Sequence, residues 1–325
     1  MPPSGSDWLL VFEDDFNSPA IDTAKWVRES APVTDFGCFT ISDSILRMMN
    51  DNVSYDFARL YTAGKFRFQY GYMETRMKHV AGKGYWGGFW TYQYDTPSTQ
   101  VDEIDVSEEQ GGSPTVHRMH YHYHLPTDYS VNYDPTYSPG TDWTQDFHVY
   151  AAEWTPTAVT FYVDGVEVAT TGTSIGHAPT NIWIENQLDQ AGVYGGPPDG
   201  TTPYPGYRDC DYVRVWQKTG WRGYARVQCS DVTVNDANFK AELLRLAISA
   251  SITPNTKSHM RTVGVRDYVL EYAADQALTG ARIANAIAKR LGADEATLLA
   301  TLTVTTYAGD TWDERRAACK SALGL

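Results

Sequence analysis

Three carboxylates lie close together in one short run of the chain. Residues 103–108 read Glu-Ile-Asp-Val-Ser-Glu. If this run is a β-strand, Glu103 and Asp105 lie on one face and the apolar residues lie on the other. Glu108 is an odd number of positions from Glu103, so simple alternation would place it on the opposite face. One extra residue in a β-bulge near Ser107 would return Glu108 to the carboxylate face.

Such crowding of acids indicates a chemical use. Burying like charges is costly, and neighbouring carboxylates raise the pKa of at least one member. Retaining hydrolysis of a glycosidic bond needs that asymmetry, because one carboxylate attacks the sugar while a second, protonated one releases the leaving oxygen. An exposed acidic strand or a calcium loop is the alternative. Calcium loops usually run through Gly and Asn, which residues 103–108 lack, but this short run alone leaves the choice open.

The elements that must position these acids are predicted to be strands. β-branched and aromatic residues alternate with polar ones, and Gly, Pro, Asn and Asp separate the runs. Many short strands with almost no helix predict an all-β sandwich. The predicted strands lie within residues 8–16, 39–49, 59–68, 70–78, 116–124, 147–156, 159–168, 181–188 and 211–216.

Two of these segments offer candidate sugar contacts. Residues 86–90 read Trp-Gly-Gly-Phe-Trp; glycine lets a bulky ligand approach the backbone, and tryptophan offers a flat face to a sugar ring. Arg76 alternates with Glu74 on residues 70–78, which indicates a salt-linked polar row in a cleft or an ordinary solvated face.

Histidines alternate on the strand after the acidic run. His120, His122 and His124 share one face. The spacing is compatible with zinc, but contacts with sugar hydroxyls are the favoured interpretation because no other cluster of metal ligands accompanies them.

Composition limits the classes of partner. The chain has 325 residues, is 13% aromatic and carries a net charge of −14, which argues against nucleic acid as a partner. Residues 1–219 hold 29 acids against 13 bases, whereas residues 220–325 hold 11 against 13. This shift predicts two domains, 1–219 and 220–325. No apolar run is long enough to cross a membrane.

The cysteines and the N-terminus bear on location. Cys38, Cys210, Cys229 and Cys319 are widely spaced, so they match no metal motif and leave one disulfide or free thiols open. The first residues show no signal peptide. We therefore expect an extracellular protein whose leader has been removed, or one that leaves its cell by another route.

Residues 220–325 differ from the rest of the chain in the spacing of their apolar residues. Apolar residues recur at helical spacing, which predicts a small, mainly α-helical C-terminal domain for attachment, oligomerisation or folding support. The predicted helices cover residues 238–251, 265–277, 281–291, 294–302 and 311–323.

The segments of residues 8–217, in their order, resemble glycoside hydrolase family 16, the β-jelly-roll enzymes that include laminarinases, agarases, porphyranases and carrageenases. The resemblance rests on the motifs at residues 12–16, 70–76, 86–90, 103–108, 147–156, 161–165 and 211–217. It implies a jelly-roll sandwich with a concave substrate cleft. It also implies endo-hydrolysis of a β-linked polysaccharide with retention and without a catalytic cofactor.

Carried over by position, the resemblance assigns roles to individual residues. Glu103 is implied as nucleophile, Glu108 as acid/base, and Asp105 as the residue that holds the nucleophile. The implied substrate contacts are Trp86, Trp90 and Asn186, and the cleft interpretation adds Arg76, His120 and His122. A structural calcium near Glu13 and Asp211 is a further implication.

The substrate is less well indicated. Laminarinases usually carry Pro-Ala where this chain has Gly87 and Gly88, so a galactan such as agar or porphyran is slightly favoured over a β-1,3-glucan. Two alternatives stay open: a glycan-binding module that does not cut, and a glycan-depolymerising component of a virion or surface assembly anchored through residues 220–325.

Overall fold

The computed structural model describes most of the chain. The described residues are 2, 8–32, 35–92, 101–124, 133–173, 175–176, 179–218, 222–240, 260–273, 300–306, 318–319 and 321–322. The chain divides into two compact units, one containing residues 10–216 and the other residues 217–325.

Eight strands of the first part form one sheet, here named the back sheet. They are β1 (Trp8–Asp14), β3 (Phe39–Ser42), β4 (Ile45–Asn50), β6 (Gly71–Lys78), β12 (His148–Trp154), β13 (Val159–Val163), β14 (Val166–Thr171) and β16 (Gly206–Lys218). Their order is β14-β13-β12-β6-β16-β4-β3, and β1 pairs with β16.

A second, six-stranded sheet carries the acidic run and is named the cleft sheet. Its members are β2 (Val27–Pro32), β5 (Tyr55–Tyr61), β7 (Tyr85–Tyr92), β8 (Val101–Gln110), β10 (His120–His124) and β15 (Asn181–Leu188), in the order β10-β8-β7-β15-β5-β2. A small ribbon pairs β9 (His117–Arg118) with β11 (Thr136–Tyr137).

Apolar and aromatic side chains fill the space between the two sheets. Ile104 of the cleft sheet and Leu46 of the back sheet are both buried, as are the larger Phe89 and Trp154. Burying such side chains is the main favourable contribution to folding. The all-β sandwich predicted from the strand pattern is therefore confirmed, and the four cysteines of the chain are buried.

The described part of the C-terminal unit is mostly β-structure. Its strands are β17 (Arg222–Cys229), β18 (Met260–Gly264), β19 (Asp267–Ala273) and β20 (Leu302–Thr306), in the order β18-β19-β17-β20. Helical residues are found at 236–240, 300–301, 318–319 and 321–322. The prediction of a mainly α-helical domain is therefore not supported by this part of the chain.

One predicted helix is wrong for a physical reason. Residues 265–277 were expected to be helical, but β19 occupies most of that range and pairs with both β17 and β18. A short apolar run is ambiguous between helix and strand, and pairing with distant segments decides between them. The predicted helix at 281–291 lies outside the described residues, as do most of those at 238–251, 294–302 and 311–323. Within the ranges described, no helix is long and apolar enough to cross a membrane.

Candidate active site

A bulge in β8 brings the three acids to one face. Asp105 pairs with Trp90 and Ser107 pairs with Phe89, so Val106 is the extra residue on β8. The bulge predicted near Ser107 is present, and Val106 is the unpaired residue. Ser107 is buried, whereas Glu108 lines the same cleft as Glu103 and Asp105.

The glycines of β7 make this bulge possible. A Cβ on Gly88 would lie 1.7 Å from the backbone oxygen of Ser107, and a Cβ on Gly87 would lie 2.7 Å from the backbone oxygen of Glu185. Such contacts are not tolerated, so the glycine pair admits the backbones of β8 and β15. Close approach of the neighbouring strands, rather than of a ligand alone, explains why both positions are glycine.

The carboxylates lie in an open cleft of about 580 Å³, a volume that includes solvent at its mouth. This is within the range of small-ligand sites. Sequence reasoning missed three of its residues, Arg59, Glu185 and Gln187. Arg59 donates to Glu185 at 2.5 Å and to Gln187 at 3.3 Å. Alternation along residues 181–188 could have indicated Glu185 and Gln187, but the sequence does not show which of the two alternating faces lines the cleft.

Two histidines of β10 lie against the acids, whereas the sequence favoured contacts with sugar hydroxyls. His120 is opposite Asp105 and His122 is opposite Glu103 in the strand pairing. Nδ1 of His120 is in ion-pair contact with Oε2 of Glu108, and Nε2 of His122 is 3.2 Å from Oδ2 of Asp105. On its outer side, Nε2 of His120 is 2.7 Å from the exposed Asp134.

The two tryptophans border the cleft in different ways. Trp86 donates from Nε1 to Oε1 of Glu108 at 2.8 Å and stacks on Tyr194 with ring centroids 5.2 Å apart. Trp90 stacks on Trp183 with centroids 5.0 Å apart. Both also line the cleft beside the acids, so each can offer part of its ring to a sugar.

Burial and mutual repulsion shift the pKa values of the three acids to different extents. Burial raises the pKa of Glu103, and the charge of Asp105 adds to the effect. Burial likewise raises the pKa of Asp105, with Glu108 as the next cause. The prediction that at least one acid has a raised pKa is therefore confirmed by both.

Glu108 behaves differently from its neighbours. Burial alone would raise its pKa, but hydrogen bonding to His120, Trp86 and Tyr194 favours the carboxylate and leaves the pKa lowered. The pKa of His120 is raised, because its interactions with Glu108 and Asp105 outweigh burial. These two directions favour a carboxylate on Glu108 and an imidazolium on His120, whereas the sequence interpretation places the proton on the acid.

Two predicted substrate contacts do not reach the cleft. Asn186 is fully buried and donates to the backbone oxygens of Met48 and Gly206. Its side chain points into the sandwich because the cleft-facing positions of β15 are its neighbours. Arg76 lies on β6 of the back sheet, where it donates to Asp211 at 2.6 Å and lies over the ring of Phe147.

The residues proposed for calcium do not fit that role. Glu13 accepts a 3.0 Å hydrogen bond from Arg214, and Asp211 is paired with Arg76. Each carboxylate therefore already has a positive partner where a cation would bind. Within the described part of the chain, ligand-type atoms of Asp105, His120 and His122 lie within 4.8 Å of one another. Their contacts with one another and with Glu108 account for that cluster without a metal.

Comparison with known proteins agrees with this architecture. The family described as "Glycosyl hydrolases family 16" matches residues 39–190. A beta-glucanase of Acetivibrio thermocellus is 29% identical over 223 residues, which cover 64% of this chain and 62% of that protein. The glucan endo-1,3-beta-glucosidase A1 of Niallia circulans is 25% identical over 264 residues, covering 66% of this chain and 39% of that protein.

Solved structures show the same fold. The catalytic domain of an endo-1,3-beta-glucanase (laminarinase) from Thermotoga petrophila RKU-1 is 25% identical and has a TM-score of 0.56, covering 65% of this chain and 98% of that one. The chain spans less than two thirds of the length of the curated relatives named above. Residues 39–190 therefore match glycosyl hydrolases family 16, and this part of the chain has the fold of a laminarinase catalytic domain.

Proposed function

We propose that the chain is a retaining endo-glycoside hydrolase that cleaves a β-linked glucan. One observation carries the proposal: the bulge in β8 places Glu103, Asp105 and Glu108 on the same face of an open cleft. A crowded, partly buried row of acids is costly for a protein that only binds sugar. Retaining hydrolysis uses such a row directly.

The reaction proceeds in two displacements. Ionised Glu103 attacks the anomeric carbon, the bond from that carbon to the leaving oxygen breaks, and Glu108 gives the leaving oxygen a proton. The products are a glycosyl ester on Glu103 and a released sugar chain. Glu108, now a carboxylate, then takes a proton from water, whose oxygen attacks the anomeric carbon and frees Glu103. Two inversions retain the configuration.

His120 supplies the proton that Glu108 donates. In the free protein the lowered pKa of Glu108 and the raised pKa of His120 leave the proton on the imidazole. Nδ1 of His120 touches Oε2 of Glu108, so the proton crosses one short contact. Hydrogen bonds at active sites tighten further when substrate excludes water. Asp134, at 2.7 Å from Nε2 of His120, connects the imidazole to solvent.

Asp105 holds the nucleophile. Asp105 and Glu103 lie on the same face of β8, and burial raises the pKa of each. A hydrogen bond between two carboxyl groups needs a proton on one of them. Since Glu103 attacks as a carboxylate, the proton belongs on Asp105, which then donates to Glu103 and orients it.

The substrate proposal is a glucan with β-1,3 linkages. The earlier preference for a galactan rested partly on Gly87 and Gly88, and the approach of neighbouring strands now accounts for both. Gly87 and Gly88 are therefore not evidence against a glucan substrate. The relatives named above are described as acting on β-glucans, which supports this choice.

A substrate panel tests the proposal. Purified full-length protein is incubated with laminarin, mixed-linkage β-glucan, agar, porphyran and carrageenan, and the products are sized. We expect oligosaccharides from a β-glucan, and NMR of the first product should show the β-anomer. Release from agar or porphyran alone would replace the glucan by a galactan. Binding of laminarin without cleavage would indicate that the protein is a glycan-binding module instead.

Variants of the two proposed catalytic glutamates, compared with a control variant, test their roles. Glu103→Gln and Glu108→Gln should each abolish product release while the circular dichroism spectrum and laminarin binding persist. Asp209→Asn is the control, since Asp209 pairs with Arg47 away from the cleft. Substantial hydrolysis by Glu103→Gln would remove the assignment of the nucleophile.

We also propose an extracellular site of action, because a polysaccharide substrate lies outside the cell, and an accessory role for residues 220–325 in attachment or oligomerisation. Glucanase activity in the culture medium of an expressing host, and the mass of the full chain by light scattering, test these two proposals. A monomer would remove oligomerisation.

A further inference from the structure

A chain of buried polar groups lies directly behind the bulge of β8. Oγ of Ser107 is 3.0 Å from Nε2 of His79. Nδ1 of His79 is 2.8 Å from a terminal nitrogen of Arg208. Another terminal nitrogen of Arg208 contacts Oε2 of Glu109. All four residues, here named the bulge latch, are at most 6% exposed.

The latch connects the two sheets. Ser107 and Glu109 belong to β8 of the cleft sheet, whereas Arg208 lies on β16 and His79 follows β6 in the back sheet. Arginine has no acceptor, so Nδ1 of His79 and Oε2 of Glu109 both accept from Arg208. We assign the proton of the neutral imidazole to Nε2, which donates to Ser107.

Stability alone does not explain this latch. A buried ion pair is often no more stable than apolar residues of similar volume, because desolvation offsets the attraction. Removing one partner is nevertheless costly, since it leaves a buried charge without compensation. A buried network of this kind therefore fixes one arrangement of the chain more than it strengthens the fold.

Two registers of β8 compete for the cleft. Without the bulge, strict alternation from Glu103 and Asp105 would turn Ser107 and Glu109 toward the cleft and Glu108 into the sandwich. Glu108 and Glu109 are both glutamates, so their side-chain chemistry does not choose between these arrangements. The latch does choose, because it contacts both residues that the bulge turns inward.

We propose that His79, Arg208, Ser107 and Glu109 are positioning residues that hold β8 in its bulged register and so select Glu108, rather than Glu109, as the acid/base of the cleft. The inference deepens the proposed function and rests on it for the role of Glu108. The hydroxyl of Ser107 faces His79, and the four residues act through the backbone of β8.

The register can be read by a thiol placed at position 108. The four native cysteines are buried, so the background reaction with a thiol reagent is low, and Glu108→Cys should label from the cleft. Adding Arg208→Met removes the guanidinium that pairs with Glu109 and leaves Nδ1 of the neutral His79, at 3.0 Å, as the near neighbour of that carboxylate. The chain then gains by turning Glu109 outward and the thiol inward, and we expect labelling to be lost.

A rescue variant separates register from general damage. Replacing both members of the pair, Arg208→Met with Glu109→Leu, puts an apolar side chain at the inward position. This should restore labelling of the thiol at position 108. Asp209→Asn, on the residue next to Arg208 that pairs with Arg47, is the control and should leave labelling unchanged.

Activity provides the second readout, with Glu108 intact. Arg208→Met should lower kcat by about 10²-fold, the cost of a misplacement near 1 Å. KM should change much less, and Arg208→Met with Glu109→Leu should recover most of kcat. Equal labelling of the thiol with and without Arg208→Met would overturn the inference, as would a folded double variant that stays unlabelled.

Two further outcomes are decisive. If Arg208→Met does not fold, Ser107→Ala decides: partial loss of labelling and of kcat supports the latch, and no change in either overturns it. If the protein cleaves no polysaccharide but labelling is lost and rescued as described, the latch is upheld and the proposed function fails. The labelling assay does not depend on catalysis.

Discussion

Nε1 of Trp86 donates a 2.8 Å hydrogen bond to Oε1 of Glu108. Trp86 is therefore both an aromatic wall of the cleft and a direct partner of the acid/base. This bond is one of the causes that lower the pKa of Glu108. A hydrogen bond to a charged group contributes about 1.5–3 kcal/mol, so its loss should affect activity and pH dependence together.

Trp86→Phe keeps an aromatic ring and removes the N–H. We expect kcat/KM to fall roughly tenfold or more. Because the lost bond favoured the carboxylate, the pKa of Glu108 should rise. The alkaline limb reports loss of the one proton that Glu108 shares with His120, so it should move up as that proton shifts toward Glu108. Trp143→Phe, outside the cleft, is the control; an unmoved alkaline limb in Trp86→Phe would contradict this role.

Asp105→Asn and Asp105→Ala should differ. In the proposed mechanism the proton of this pair lies on Asp105, whose pKa is raised by burial, and an asparagine amide can still donate to Glu103. We expect Asp105→Asn to retain about tenfold more kcat than Asp105→Ala, in proportion to one hydrogen bond near 1.5 kcal/mol. Steady-state kinetics on laminarin measure this difference. Equal losses in both variants would mean that Asp105 acts as an anion.

His117 should make the fold sensitive to acid. Burial holds its pKa well below 6.5, so the folded state binds fewer protons than the unfolded state just below that pH. The stabilisation is complete above pH 6.5 and falls with pH, by up to about 1.4 kcal/mol per pH unit for one group. The raised pKa values of Glu103 and Asp105 act in the opposite direction.

A comparison of variants isolates the contribution of His117. Urea unfolding of the wild type and of His117→Gln is measured from pH 8 to pH 5. The acidic groups are common to both proteins, so their effects cancel in the difference. We expect the wild type to lose more stability than the variant below pH 6.5; parallel curves would show that His117 titrates normally.

Arg59 and Glu185 form a pair that should be tested by a double-mutant cycle. Glu185 is 5% exposed and its carboxylate accepts from Arg59. Arg59→Met should cost about 3 kcal/mol of unfolding free energy, because it leaves a buried charge unpaired. Arg59→Met with Glu185→Leu should recover much of that loss in urea denaturation. A double variant less stable than Arg59→Met would argue that Glu185 needs no partner.

Gly88 should tolerate no side chain. A Cβ there would lie 1.7 Å from the backbone oxygen of Ser107, so β7 and β8 would have to separate at the bulge. We expect Gly88→Ala to destabilise the fold by about 3 kcal/mol, at the upper end for overpacking, and to remove activity. Gly200→Ala is the control, since a Cβ there meets nothing within 4 Å. Equal stability of both variants, by thermal melting, would contradict the proposed close approach.

The sequence was sufficient to predict that the three acids of β8 share one face. The odd spacing of Glu103 and Glu108 required an extra residue, since side chains alternate along a strand, and the structure has that residue at Val106. The strand that carries the alternating histidines of β10 was also predicted, although their contacts with the acids were not. These features depend on neighbours within one strand or on one adjacent strand, so the local sequence pattern is enough to predict them.

Only the tertiary structure decided which sheet and which face each strand presents. Arg76 has the alternation of a cleft strand yet lies on the back sheet, and Asn186 is one residue out of phase with Glu185. Alternation along a strand shows that its two faces differ, but it does not show which face meets the core. The helix expected at 265–277 became β19 for a related reason: pairing with β17 is a long-range contact that no local pattern contains.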